Sequence, residues 1–265
     1  MESERSDQRW SQRCERGWHG RVIRTGPGEE VVARIEAGWS GDRPDRAFPG
    51  DRRLRVRADH LVETHLAFAA LERLRGVDYD VAVMTGDFRA KTHGPFEATV
   101  NALRLVRPHL KNPVYAVLGN HDSLRMVPDF ETMGIRVLLN ESVEIERGGE
   151  AIYLAGIDDP HYFRTDNMEK AAEGIPSDAV SVLLAHSPEI YRQAAHAGFS
   201  VMLCGHTHGG QIWPFGYLVR VAVPFVAGRF QRGSAQLYVS RGTGFWGPPM
   251  RLFAPAEITE HVLCS

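Results

Sequence analysis

The sequence predicts an α/β domain, and two observations predict it. Short apolar runs bounded by glycine, proline or aspartate recur from residue 54 onward, which is the pattern of buried strands. Segments with helical spacing of apolar residues lie between several of these runs, and this alternation is typical of α/β folds. The 265-residue chain is 43% hydrophobic, which is enough for one sizeable core or at most two small ones.

The individual elements follow from these patterns. Strands are predicted at 81–84, 114–118, 152–155, 182–185, 201–204 and 236–240, and helices at 61–74, 96–110 and 189–197. Residues 1–53 differ, because they are rich in arginine, glycine and acidic residues and hold only a short apolar patch at 31–35. We therefore expect 1–53 to be a poorly ordered or atypical segment outside the catalytic sheet, and 54–265 to form the domain.

Composition restricts the function classes. A net charge of -2 gives no global basic field, so a nucleic-acid partner is not implied. Cys14, Cys204 and Cys264 are too far apart for a disulfide framework or a CxxC zinc site, and they fit a reducing compartment. No stretch approaches the ~20 apolar residues of a membrane helix, and the polar start lacks a signal-peptide core. A cytoplasmic protein is expected.

Polar side chains follow the predicted strands at the points where they end. They are Asp87, Asn120, His186, His206 and His208. Ligands of open α/β sheets bind at the carboxyl ends of strands, so these residues can converge. Carboxylate, amide oxygen and imidazole together suit Mn, Fe or Zn. In an extended segment His206 and His208 would share one side, since side chains alternate with period two.

These ligand types also indicate a reaction. A carboxylate such as Asp87 can bridge two cations, and two metals about 3.5–4 Å apart clamp a phosphoryl group and activate water. His121 is placed to act as a general acid, and Asp122 is a candidate to orient an imidazole from outside the metal shell. Each motif taken alone more often marks a turn or a packed histidine. Their joint occurrence in this order favours a metal site.

The motifs Gly86-Asp87, Gly119-Asn120-His121-Asp122, His186 and Gly205-His206-Thr207-His208 resemble those of the calcineurin-like metallophosphoesterase superfamily. The segments 209–212, 240–244 and 251–258 are similar to a bacterial branch that includes membrane-associated phosphoesterases. The resemblance spans about residues 66–260. It implies a two-sheet sandwich flanked by helices and a site for two divalent metal ions.

The resemblance also implies individual roles. Asp87 would bridge the metals, Asn120, His186 and His206 would bind one of them, and His208 the other. His121 would be the catalytic acid. The implied activity is metal-dependent hydrolysis of a phosphodiester, monoester or pyrophosphate, with manganese a candidate ion. The branch further implies a lipid-linked substrate and peripheral membrane contact, for which the segment 221–227, Trp213, Phe215, Phe245 and Trp246 offer apolar side chains.

The chain departs from the family pattern at the first strand, where the superfamily carries Asp-x-His. The nearest text is Asp59-His60, and adjacent strand residues point to opposite faces, so both could bind one metal only across a bulge. Three interpretations stay open. A bulge could bring Asp59 and His60 to the same face of the strand. The protein could be a degenerate relative that binds a single metal. Alternatively, the first ~55 residues could be unrelated to the usual start of the family, for instance through an altered reading frame or start site. The first strand is thus expected to be disrupted and the metal bound there to be held weakly.

Two function classes follow. The first is a metal-dependent hydrolase of phosphate esters, and the alternative is a weakly active or non-catalytic metal-binding relative. Hydrolysis of a nitrophenyl phosphodiester with added manganese separates them. Nucleic-acid processing is disfavoured because no basic patch is evident.

Overall fold

The computed structural model describes residues 20–22, 32–37, 54–59, 79–89, 91–147, 150–233, 235–248 and 250–263. Two β-sheets pack face to face, and helices cover both outer faces. This arrangement confirms the predicted α/β sandwich flanked by helices.

The first sheet has seven strands in the order β1-β2-β13-β3-β4-β5-β6. These are β1 (Gly20–Val22), β2 (Val32–Ala37), β3 (Leu54–Asp59), β4 (Val81–Met84), β5 (Val114–Ala116), β6 (Arg136–Val137) and β13 (Ile258–Leu263). Strands β3, β4 and β5 run parallel, so their carboxyl ends meet at one edge.

The second sheet has six strands in the order β11-β12-β10-β9-β8-β7. These are β7 (Glu141–Arg147), β8 (Glu150–Gly156), β9 (Ser181–Leu184), β10 (Val201–Cys204), β11 (Gly228–Arg232) and β12 (Ala235–Val239). Strands β8, β9, β10 and β12 are parallel, which again brings their carboxyl ends together.

The continuously apolar strands contribute to three hydrophobic layers, one between the two sheets and one under the helices on each outer face. In β4, Val81 and Val83 enter the core between the sheets, whereas Ala82 and Met84 pack under the helices outside. Strands β9 and β10 divide their side chains between the two faces in the same way. Because both faces of these strands are buried, their residues are apolar without alternation, and this pattern allowed the strands to be predicted from the sequence. Cys204 is buried in the outer layer of the second sheet.

Five α-helices are described: α1 (Glu97–Val106), α2 (Val127–Thr132), α3 (Met168–Ala172), α4 (Tyr191–His196) and α5 (Phe215–Ala222). Helices α1 and α2 cover the first sheet, and α3 and α4 the second. The helix predicted at 96–110 ends early and continues as the 3-10 turn Arg107–His109, which contains Pro108, a residue that lacks the amide proton of a helix interior. The predicted helix 61–74 lies outside the described residues.

Two predictions about the amino-terminal part were wrong. Strands β1 and β2 belong to the catalytic sheet, because β1 pairs with β2 and β2 pairs with β13. In β2, apolar and charged residues alternate from Ala33 to Ala37, which is the pattern of a strand with one buried face. The charged composition of the surrounding segment obscured this pattern. Strand β3 is regular to Asp59, which pairs in register with Met84, so the strand itself is not disrupted. The boundary at residue 54 stays a prediction, and His60 lies outside the described residues.

Among the described residues, the structure contains no helix that is both long and apolar enough to cross a membrane.

Candidate active site

The site begins where two tight loops touch. The loop after β4 carries Gly86 at φ 86° and Asp87 at φ 55°, and it lies against Gly119 in the loop after β5. A Cβ on Gly119 would lie 2.3 Å from Asp87 Oδ1. Glycine is therefore required at this contact, since it lets the two loops approach closely enough for their polar residues to meet.

Three predicted ligands surround one ring nitrogen of a fourth, His186. His186 Nε2 lies 3.0 Å from Asn120 Oδ1, 3.0 Å from His206 Nδ1 and 3.2 Å from Asp87 Oδ2. On the other side of the ring, Nδ1 is 2.8 Å from the carbonyl oxygen of Thr85. A carbonyl can only accept, so Nδ1 carries a proton and donates, which leaves Nε2 to face the cluster.

The electrostatics of this cluster follow from burial around one carboxylate. Burial alone would lower the pKa of His186, but the carboxylate of Asp87 raises it to about 9. Burial, reinforced by His186, lowers the pKa of His206 to about 3. The negative charge of Asp87 can therefore be offset by a proton on His186 or by a cation bound in the cluster.

These residues fit a divalent ion. Asp87, His186 and His206 each offer a ligand atom within 4.8 Å of the others, and Asn120 adds an amide oxygen beside them. Mixed oxygen and imidazole nitrogen donors suit the borderline metals Mn, Fe and Zn. The hydrogen bond from His186 to Thr85 is the kind of outer contact that fixes the orientation of a ligating imidazole.

His208 lies apart from this cluster but in the same cleft. Burial and the nearby Arg251 lower its pKa to about 4, so the imidazole is neutral near pH 7. Arg251 Nη1 donates to the His208 carbonyl at 3.1 Å and fixes this segment. The prediction that His206 and His208 share one side of an extended segment was wrong. Both have positive φ, 69° and 51°, because the chain turns sharply after β10.

His121 lies at the edge of the cluster, with its side chain 16% exposed. Its backbone N–H donates to Asp87 Oδ1 at 3.0 Å, and its Nε2 lies 4.0 Å from Asp87 Oδ2. Its Nδ1 is 2.9 Å from the hydroxyl of Thr92, a partner that the sequence did not reveal. The ring is thus held beside the metal-binding atoms without belonging to them.

Asp122 has different partners from those predicted. Its carboxylate accepts backbone N–H bonds from Phe88 at 2.8 Å, Arg89 at 3.2 Å and Gly119 at 2.8 Å. It therefore ties the two loops together, while its role in orienting an imidazole stays a prediction. Burial and the carboxylate of Asp87 raise the pKa of Asp122 to about 7.

His161 is a residue of the cleft that was not named from the sequence. Its ring centre lies 4.6 Å from that of His206, and its Nδ1 is 3.0 Å from Glu189 Oε2. It follows β8 and the pair Asp158-Asp159, which is another strand end with polar residues. The same strand-end rule that found the other ligands could have found His161.

The cleft in front of the cluster has a volume of about 520 Å³. One end is lined by the polar residues Asp87, Asn120, His121, His161, His206 and His208. The other end is apolar and includes Phe215, Val219 and Val223, which lie four residues apart along and just beyond α5. Of the segment 221–227, Phe225 and Val226 instead belong to the buried core.

Comparison with known proteins agrees with this geometry. The family model described as calcineurin-like phosphoesterase matches residues 60–210, more than half of the chain. The chain belongs to the calcineurin-like phosphoesterase family. It is 35% identical over 204 residues to a bovine transmembrane protein with a metallophosphoesterase domain, covering 69% of this chain and 46% of that protein. It therefore spans about half the length of this relative.

Two bacterial proteins extend the comparison. The chain is 30% identical over 197 residues to the uncharacterized metallophosphoesterase YkoQ of Bacillus subtilis, covering 69% of this chain and 72% of YkoQ. The crystal structure of the calcineurin-like phosphoesterase YfkN from Bacillus subtilis matches with a TM-score of 0.46 at 13% identity, covering 79% of this chain and 90% of that one.

Family membership supports metal-dependent hydrolysis of a phosphoester as the general class of activity. It also supports divalent metal ions as cofactors, in keeping with the cluster of Asp87, His186 and His206.

Proposed function

We propose that this calcineurin-like phosphoesterase hydrolyses a phosphate ester whose leaving group or acyl part is apolar. The observation that carries the proposal is the cleft itself, in which a cluster of metal-ligand atoms and an apolar wall face one volume of about 520 Å³. A lipid-linked phosphodiester or pyrophosphate has both parts that such a cleft would accept.

Asp87, Asn120, His186 and His206 are assigned to one metal ion. Asp87 and His208 are assigned to the other, with Asp59 as the third candidate because β3 delivers it to the same sheet edge as Met84. When bound, such ions offset the charge of phosphoryl oxygens and lower the pKa of a coordinated water. Asp87 and His208 are fewer than the three or four protein ligands usual for tight binding, so we expect this ion to be held weakly.

His121 is assigned as the general acid. Its backbone is fixed by Asp87, and its ring is held at Nδ1 by Thr92, which leaves Nε2 on the side of the metal-binding carboxylate. A proton on Nε2 can pass to the leaving oxygen of the substrate, which then departs as an alcohol or phosphate instead of an oxyanion. His161 borders the same space and is assigned to contact the substrate phosphate.

The apolar wall is assigned to the substrate's hydrocarbon part. Phe215, Val219 and Trp246 line it, and Phe215 and Trp246 are also 57% and 61% exposed, so the wall continues to the outer surface. An acyl chain could therefore leave the cleft along this side, which supports peripheral contact with a membrane.

The experiment compares manganese-dependent hydrolysis of a soluble nitrophenyl phosphodiester with that of diesters carrying progressively longer alkyl chains. We expect kcat/KM to rise with chain length, and Val219→Ser to weaken this rise while it leaves the short substrate unaffected. Equal kcat/KM for all chain lengths would refute the apolar substrate, and no hydrolysis of any ester with added manganese would favour the non-catalytic alternative.

A further inference from the structure

One long stretch of the chain contains no acidic residue. Between Glu189 and Glu257 there is no aspartate or glutamate, but there are six arginines, whereas the whole chain has 33 acidic and 31 basic residues. Glu257 itself is buried, and Arg241 Nη1 donates to it at 2.6 Å. This stretch includes α5, which carries Arg220, and the cleft loops, which carry Arg241 and Arg251, while the other three arginines lie on α4 and β11. No acidic side chain within the stretch offsets the arginines beside the cleft.

The same region exposes large apolar side chains. Those exposed by more than half are Trp213, Phe215, Tyr217, Leu218, Val221, Trp246 and Phe253, which we call the rim surface. Val221 and Phe253 are exposed by 87% and 83%. Apolar patches of this kind are uncommon on proteins without a partner and mark interaction surfaces.

Backbone hydrogen bonds and a ring contact join the loops that carry these side chains. The backbone N–H of Trp213 donates to the Leu252 carbonyl at 3.0 Å, and the rings of Trp213 and Phe253 are 6.4 Å apart at their centres. The side chain of Gln211 receives the Trp246 N–H at 2.6 Å and donates back to the Trp246 carbonyl at 2.7 Å. The loops that carry the aromatic residues are therefore fixed to each other beside α5.

Arginines are placed among these apolar residues. A second cavity of about 240 Å³ lies beside α5 and is lined by Arg220, Arg241, Trp213, Tyr217 and Phe253. The guanidinium of Arg220 is 5.9 Å from the centre of the Tyr217 ring, and Arg220 is exposed. Aromatic and aliphatic side chains next to arginine are the composition of a membrane-interface element, in which the rings lie at the headgroup level and the cations contact lipid phosphates.

We propose that the rim surface docks the protein onto a bilayer that contains anionic lipids, with α5 lying in the plane of the interface. The exposed Arg220, in a stretch of the chain without acidic residues, favours a negatively charged partner. The exposed aliphatic residues Leu218 and Val221 of α5 favour hydrocarbon. Because Phe215 and Trp246 belong both to the rim surface and to the cleft, docking would place the mouth of the cleft at the lipid surface. This docking serves the proposed hydrolysis of an apolar phosphate ester and rests on that proposal. The binding of vesicles can be measured independently of the activity.

The test is flotation of the full chain with vesicles of phosphatidylcholine alone or mixed with phosphatidylglycerol. We expect binding to the mixed vesicles that weakens with added salt, since screening shortens the reach of surface charge. The double variant Leu218→Glu, Val221→Glu should lower the partition coefficient at least about tenfold. Arg220→Gln should lower it about fivefold, and only for the anionic vesicles.

Leu105→Glu is the matched control, because Leu105 is 50% exposed on α1 at the outer face of the other sheet. It should float like the wild type. Wild-type protein that does not bind mixed vesicles, or equal loss in Leu105→Glu and the α5 variant, would overturn the proposal. A stable dimer in light scattering that the α5 variant disperses would also overturn it, because a second copy would then cover the surface.

Manganese-dependent hydrolysis of a soluble nitrophenyl diester is measured on every variant. Leu218 and Val221 do not line the catalytic cleft, so their variants should keep this activity. If neither the wild type nor any variant hydrolyses the soluble diester, the proposed hydrolysis would be refuted. Flotation would still test the docking surface, because it does not depend on this activity.

Discussion

The two halves of the proposed metal site differ in how completely the described residues build them. On one side, atoms of Asp87, Asn120 and His206 lie 3.0 to 3.2 Å from His186 Nε2, so four candidate ligands form one cluster. On the other side, His208 has Arg251 as its near neighbour, and Asp59 at the end of β3 is a further candidate beside Asp87.

The difference shows what makes a strand-end site. The first half depends on short loops held by the Gly86–Gly119 contact and by Asp122, so several ligands are fixed before any ion binds. The second half depends on β3, which ends at Asp59, and Asp59-His60 is the nearest sequence to the family motif Asp-x-His. Whether this pair replaces the motif stays a prediction. We therefore predict that the halves bind metal with different affinities.

The largest effect is expected from His206→Ala. This variant removes a ligand of the complete half, and the metal that survives gel filtration should be lost together with nearly all hydrolysis. The loss of metal is measured as the metal content per chain by mass spectrometry. His196→Ala is the matched control, because His196 is exposed at the end of α4. A His206→Ala protein with wild-type metal content would show that the ligand assignment is incorrect.

Replacing His121 should separate chemistry from metal binding. His121→Ala should lower kcat by about 10²–10⁴-fold, as loss of a general acid does, while metal content stays at the wild-type value. The exposed His93 supplies the control, His93→Ala. An unchanged kcat would remove His121 from the mechanism, and loss of metal would make it a ligand.

The contact between the loops can be tested by Gly119→Ala. The added Cβ would lie 2.3 Å from Asp87 Oδ1 and 2.9 Å from His186 Nδ1, so the complete half must distort. We expect metal affinity to fall about 10–100-fold, the usual consequence of disturbing the support of metal ligands. Gly216→Ala is the control, because its Cβ would approach neighbours no closer than 3.7 Å. Equal affinities in the two variants would contradict this account of the loops.

The smallest effect on metal binding is expected from a change in the sheet that carries the second half, where the measured quantity is the free energy of unfolding. His261 on β13 pairs in register with Val56 of β3, and burial lowers its pKa to about 3. The folded chain keeps this ring neutral, while the unfolded chain binds a proton below pH 6.5, so stability should fall as pH drops from 6.5 toward 3.

His261→Leu should flatten this dependence by up to about 1.4 kcal/mol per pH unit, measured by urea unfolding. The same change at the exposed His109 should leave the slope as it is. A wild-type slope in His261→Leu would exclude this histidine as the cause.

Much of the site was predictable because buried parallel strands are apolar on both faces and end in polar residues. Strands β4 and β10 have the predicted limits, and Asp87, Asn120, His186 and His206 meet as expected. Thr92 and Arg251 were missed, because they come from loops whose paths depend on tertiary contacts. The turn at His206 and His208 was misjudged, since positive φ in a residue other than glycine is imposed by its surroundings.

Metal content per chain tests the central claim most directly. The wild-type protein should retain one divalent ion after exhaustive dialysis and bind a second only at high added manganese, with hydrolysis following the second binding step. Asp59→Asn should weaken the second step and leave the first unchanged. Two tightly held ions in the wild type, or no ion retained at all, would contradict the unequal halves that the structure supports.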